Sequence, residues 1–167
     1  RYFIEGNFGY NGSENFSKGN KWGFFPSVAG GWLVTNEKFM ENALSVLSKL
    51  KFRGSYGLVG NDQLAGRRFA FLSTINSGNG FTYGLTGNQG IGGKFEGDFG
   101  VEDLSWETVK KTDIGVEIGL WDCVNIQAEY FHEKREDIFM QRKTIPETAG
   151  FNTNPWANFG IVKNQGF

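Results

Sequence analysis

The sequence predicts an all-β protein, antiparallel up-and-down strands forming part of the wall of a large barrel that crosses a membrane on its strands. Three observations predict it. Aromatic residues make up 16% of the chain and glycines number 25, although only 39% of its 167 residues are hydrophobic. Apolar side chains recur at every second position in one segment after another, the period of a strand with one greasy and one wet face. In the clearest hairpin, the greasy face stops at comparable distances from the turn on both strands. A bilayer requires such a level edge; the core of a soluble sandwich does not.

In residues 1–10, Tyr2, Ile4, Phe8 and Tyr10 alternate with Arg1, Glu5 and Asn7. The stretch NGSENFSKGN, 11–20, is rich in loop formers and closes a hairpin onto KWGFFPSVAGGWL, 21–33. There Trp22, Phe24, Val28 and Trp32 share one parity and Ser27, Ala29 and Gly31 the other. Ten residues separate the two tryptophans, about 33 Å along a strand at ~3.3 Å per residue. A tilt of ~45° reduces this to about 23 Å, close to the band of about 25 Å between the aromatic girdles of a membrane barrel. The two rings therefore fit opposite rims. Pro26 predicts a bulge or a local sheet edge, and Gly30 and Gly31 leave a gap in the face.

Residues 35–49 change period. Phe39, Met40, Ala43, Leu44 and Leu47 recur at helical spacing and predict one short amphipathic helix, a turn packed on the barrel rim. Period two returns in 50–60, with Leu50, Phe52, Tyr56 and Leu58 opposite Lys51, Arg53 and Ser55. Residues 61–105 form a long glycine-rich loop with room for an extra hairpin from 67–75 to 80–85; a loop of that length implies function. Ile114, Val116, Ile118 and Leu120 then alternate to a tight turn at 121–123, followed by Val124, Ile126, Ala128 and Tyr130. Lys110 and Thr112 on one strand, His132 and Lys134 on the other, continue the parity as polar residues. The lipid-facing set is thus Trp22, Phe24, Val28, Trp32, Ile114, Val116, Ile118, Ile126 and Tyr130.

The opposite face carries Glu5, Asn7, Lys51, Arg53, Ser55, Asp113, Glu117, Gln127 and Glu129. A dry core does not take so many charges, so they line a wide hydrated or plugged interior, which barrels of about 16 to 22 strands provide. This chain supplies about six strands, and residues 1–167 read as a partial barrel cut from something longer. A net charge of -1 offers no footprint for nucleic acid. The acidic group Glu96, Asp98, Glu102 and Asp103 lacks the ligand order of a calcium loop and reads as a solvated loop. His132 is the one histidine, and Cys123 has no second cysteine; neither a histidine-pair zinc site nor a disulfide is available. The glycines of 87–93 lack the residues of a phosphate cradle, and the sequons at Asn11 and Asn15 matter only in a eukaryotic secretory pathway. No catalytic group, metal or cofactor is expected, and the chain does not read as an enzyme.

The order FIEGNFGYNGS, NFSKGNKWGFFPSV, GW, LKFRGSYG, LSWE, TDIGVEIG and NFGIVKNQGF resembles SusC-like TonB-dependent outer-membrane transporters over nearly the whole chain, with a gap from about 63 to 103. The resemblance implies a large barrel filled by an N-terminal plug, energised through TonB, and capped by a SusD-like lipoprotein in the outer membrane of a Gram-negative bacterium. Its cargo is an oligosaccharide or other nutrient. No plug is expected in these residues, and TonB would act through the missing N-terminal part. In such barrels short turns lie in the periplasm and long loops outside. This places 121–123 and the helix in the periplasm, and 11–20, 61–105 and 143–155 outside. Ligand contact is expected in the outer loops, where Tyr83 and Trp156 have rings able to stack on a sugar. The alternative is a soluble β-sandwich carbohydrate-binding module, whose greasy faces would be covered by a second sheet.

Overall fold

The computed structural model describes residues 1–43, 45–151 and 153–167. The chain forms eight strands among the described residues: β1 (Tyr2–Gly12), β2 (Trp22–Leu33), β3 (Leu47–Asn61), β4 (Ile75–Tyr83), β5 (Gln89–Glu96), β6 (Glu107–Leu120), β7 (Val124–Gln141) and β8 (Trp156–Gly166). Six of them form one sheet in the order β1-β2-β3-β6-β7-β8, with every neighbouring pair antiparallel; β4 and β5 form a separate hairpin. The large sheet is open, with β1 and β8 at its edges. One end carries the 34–46 connection and the 121–123 turn. The other carries the 13–21, 62–106 and 142–155 connections.

Two segments differ from their expected form. In place of an α-helix over 35–49 there are two 3-10 turns, Val34–Asn36 and Lys38–Ala43, and β3 starts at Leu47, which pairs with Leu120. Leu44 lies outside the described residues. A helix this short needs an apolar face to pack on, and Phe39 remains 68% exposed; ladder bonds to β6 claim the end of the segment instead. The extra hairpin forms later than its expected position. Residues 67–72 are turns, with the Arg67 amide donating to the Leu64 carbonyl at 2.8 Å and that of Leu72 to Phe69 at 2.9 Å. Ala70 and Phe71 from this stretch pack on a buried cluster, so its alternation marks a loop core.

Pro26 lies opposite Phe8 without a register shift, just beyond the last β2–β3 pair, Ser27 with Gly57. It thus sits at a local edge. The sheet splits here because Phe25 turns across it: a Cβ built on Gly60 meets the Phe25 ring at 1.9 Å. Phe25 packs edge-on to Trp106 at 5.3 Å, and Trp106 against Phe16 at 5.1 Å. Strand β7 has a second irregularity, register shifts between Arg135 and Phe139 with Asp137 at φ 59°. The extra residue re-aims the strand. Phe139 joins Phe16, Leu64 and Leu104 in a buried cluster that draws on the 13–21 and 62–106 connections and on β7.

Candidate functional site

Direct cross-strand partners share a face, and the register unites one parity across the sheet. The row Ile4, Gly30, Gly54, Ile114, Tyr130 runs across five strands, as does Tyr2, Trp32, Phe52, Val116, Ala128. Trp22, Phe24, Val28, Trp32, Ile114, Val116, Ile118, Ile126 and Tyr130 all lie on this face. No second sheet covers it among the described residues: Ile4 is 87% exposed and Phe8 75%, which is not the state of a sandwich core. Aromatic pairs stand at both ends, Tyr10 stacked on Trp22 at 5.0 Å and Tyr2 on Trp32 at 6.1 Å. On β6 and β7 the apolar band stops where Thr112 pairs with His132 and Lys110 with Lys134, and β8 adds Gln165 and Lys163 to the same rows. Beyond it, Glu136 forms ion pairs with Lys110 and Lys134.

The other face is an ionic ladder. Glu117 meets Lys49 at 2.7 Å, Lys51 at 3.6 Å and Arg53 at 3.9 Å, while Arg53 Nη2 reaches Glu129 at 2.8 Å. Arg53, Gly115 and Glu129 form one row over β3, β6 and β7. The guanidinium crosses the middle strand only because that position has no side chain; a Cβ on Gly115 stands 2.7 Å from Arg53 Nε. The Ser55 hydroxyl donates to Asp113 at 3.4 Å. Arg135 closes the upper end by donating to Glu107, itself buried, at 2.9 Å.

The buried cluster lies on this polar face, at the end with the long connections. Hydrogen bonds tie 13–21 and β8 to the 62–106 connection: the Ser13 hydroxyl donates to Asp62 at 2.7 Å, the Asn20 amide to the Leu104 carbonyl at 3.0 Å, and the Asn158 amide to the Ser105 carbonyl at 3.0 Å. A cavity of about 330 Å³ opens beside it between the 67–74 and 98–99 segments, Phe139 and Trp156. The two expected ligand residues are not brought together. Trp156 lines this cavity, stacked on Phe139 at 5.1 Å with the Arg67 guanidinium 4.5 Å from its ring centre. Tyr83 ends β4 on the separate hairpin, 44% exposed and not on the cavity wall.

Sequence reasoning missed Gly115, Gly60, Phe25 and Arg67. For Gly115 a signal existed, a glycine between two carboxylates of the same parity, Asp113 and Glu117. For the others, only long-range contact identifies them.

The chain belongs to the family described as TonB dependent receptor-like, beta-barrel, whose model matches residues 2–167. It is 33% identical over 157 residues to TonB-dependent receptor P3 of Formosa agariphila, covering 93% of this chain and 15% of that protein. It is 30% identical over 167 residues to TonB-dependent receptor SusC of Bacteroides thetaiotaomicron, covering 99% of this chain and 16% of SusC. The chain therefore spans about 15% of the length of the curated relatives it matches. Among solved structures it superposes on the RagAB peptide importer in its closed-closed state with a TM-score of 0.77 and 22% identity, over 98% of this chain and 17% of that one. This likeness extends to the fold. The chain is SusC-like, and its six-stranded sheet has the architecture of a TonB-dependent barrel wall.

Proposed function

We propose that this chain forms lipid-facing wall strands and outer loops of a TonB-energised importer in the outer membrane of a Gram-negative bacterium. In this reading its 167 residues are a partial barrel that carries no plug. The importer works with a SusD-like lipoprotein, reaches TonB through a part of the protein outside these residues, and takes up an oligosaccharide or other nutrient such as a peptide. No chemical step is assigned to the chain. One observation carries the reading: a single uncovered apolar face, bordered by stacked aromatics at both ends of β1 and β2 and by polar residues on β6 to β8, backs onto an ionic ladder. Lipid suits the first face and a hydrated lumen the second. Tyr83 and Trp156 belong to the outer loops that meet the nutrient, Trp156 through the wall of the loop cavity and Tyr83 from the hairpin. Tyr83→Ala should lower uptake without lowering the amount of barrel in the membrane.

Spin labels placed singly at Trp22, Phe24, Val28 and Trp32 of the full-length receptor test the wall. Lipid-soluble oxygen should relax the labels at 24 and 28 more than a water-soluble reagent does, with a weaker preference at 22 and 32. Labels that respond chiefly to the water-soluble reagent would place this face on the lumen and overturn the reading.

A further inference from the structure

The loop cavity has a chemistry of its own. Its wall carries two guanidiniums, Arg67 and Arg68, against one carboxylate, Asp98. Asp98 already pairs with Nη1 of Arg67, which leaves the rest of that planar fork for another acceptor. Arg68 is exposed, lies 5.4 Å from the Phe69 ring centre, and has no carboxylate within ion-pair distance among the described residues. The cavity thus has an excess of positive charge beside aromatic walls from Phe69, Phe99 and Trp156. Trp156 adds a buried indole Nε1–H with no hydrogen-bond partner among the described residues, a donor that costs free energy while unpaired.

We propose that this cavity binds a carboxylate-bearing sugar, a uronate unit of an acidic oligosaccharide, with Arg68 and Arg67 taking the carboxylate. The proposal rests on the importer reading and names the substrate class of its outer loops. A guanidinium fork matches the two oxygens of a carboxylate in plane. Aromatic walls suit the C–H face of a sugar ring. The volume of about 330 Å³ is at the small end of ligand pockets, the scale of one or two ring units rather than a folded partner. The Trp156 ring is not the stacking platform, because Phe139 and Arg67 already lie against it. It holds the Arg67 guanidinium over its face, which restricts the fork and lowers the ordering cost of binding.

Binding to the purified full-length receptor, with tetragalacturonate, its methyl ester and tetraglutamate as probes, tests the assignment. The acid should bind at least about tenfold more tightly than the ester, as expected when a charge-assisted hydrogen bond is lost. Rising salt should erode that preference. Arg68→Gln should abolish it, and Arg68→Lys should retain part of it; Arg68 is exposed, so neither change threatens folding. Equal binding of acid and ester, or an acid preference that survives Arg68→Gln, overturns the site. Tetraglutamate binding as tightly as tetragalacturonate overturns its assignment to sugar. TonB-dependent uptake of some other nutrient alongside either result would show that the cavity assignment had failed while the importer reading stood.

Discussion

Gly60 has no room for a side chain, because the Phe25 ring occupies the space where a Cβ would go. Gly60→Ala must push that ring off Trp106, with an overpacking cost of about 1–3 kcal/mol. A lower unfolding midpoint and an altered Trp106 fluorescence are expected. Phe25→Ala added to Gly60→Ala should cost little more, since both act on one contact; full additivity would show that the clash is relieved elsewhere. At the opposite end, Glu37 follows the first 3-10 turn and accepts a hydrogen bond from the Trp32 indole at 3.3 Å. That bond, with smaller help from Tyr2 and Arg1, holds its carboxyl below the usual range. A depressed carboxyl contributes stability above its unfolded value and loses it as pH falls through the folded one. The Trp32 environment should therefore stay constant near neutrality and change with a midpoint below the ordinary glutamate value of about 4.3. Glu37→Gln should remove the transition in Trp32 fluorescence, and a midpoint at or above that value would contradict the contact.

Strand β6 shows what a residue type does once it has neighbours. Its glycines at 115 and 119 lie on the ionic face with Glu117 between them, where long cations from β3 lie across the sheet. Gly115→Val keeps good strand propensity but places its Cβ against Arg53, ending the contact with Glu129. The half-exposed pair is worth only ~0.2–1 kcal/mol, so total stability is a poor readout. A double-mutant cycle of Arg53→Ala and Glu129→Ala should give a coupling of that size in the native background and none beside Gly115→Val. Coupling that persists would mean that Arg53 reaches Glu129 by another path. The same scale explains the two elements that depart from local pattern. The 35–49 period had no apolar partner surface to make it α-helical, and the alternation of 67–75 served packing beneath loops.

Over the whole molecule, the buried cluster sits at one end of the sheet and the 34–46 and 121–123 connections at the other. The importer reading places the cluster outside the cell and the 121–123 turn in the periplasm. Cys123 is exposed in that turn, so an impermeant thiol reagent should label it in broken but not intact cells. Labelling on intact cells would invert the wall. The loop end is tied by apolar contacts and by side-chain bonds from Ser13, Asn20 and Asn158. It therefore presents a preformed surface, in which the Arg67–Trp156 stack is already assembled before any solute arrives.

By itself, the sequence determined the all-β class, the limits of the apolar band and the residues that share each face. These follow from a period of two, which any extended chain imposes on its own side chains, and Trp22, Val28, Ile114 and Tyr130 needed no knowledge of their partners to be assigned to one side. Tertiary structure alone decided the rest. The path of Arg53 over Gly115, the wedge of Phe25 against Gly60, the pairing of Leu47 with Leu120 that starts β3, and the meeting of Arg67 with Trp156 all join residues distant in the chain. Parity says which way a side chain points, but it does not say what stands opposite. That depends on strand register and loop closure, whose free energies come from contacts made only when the whole sheet is in place.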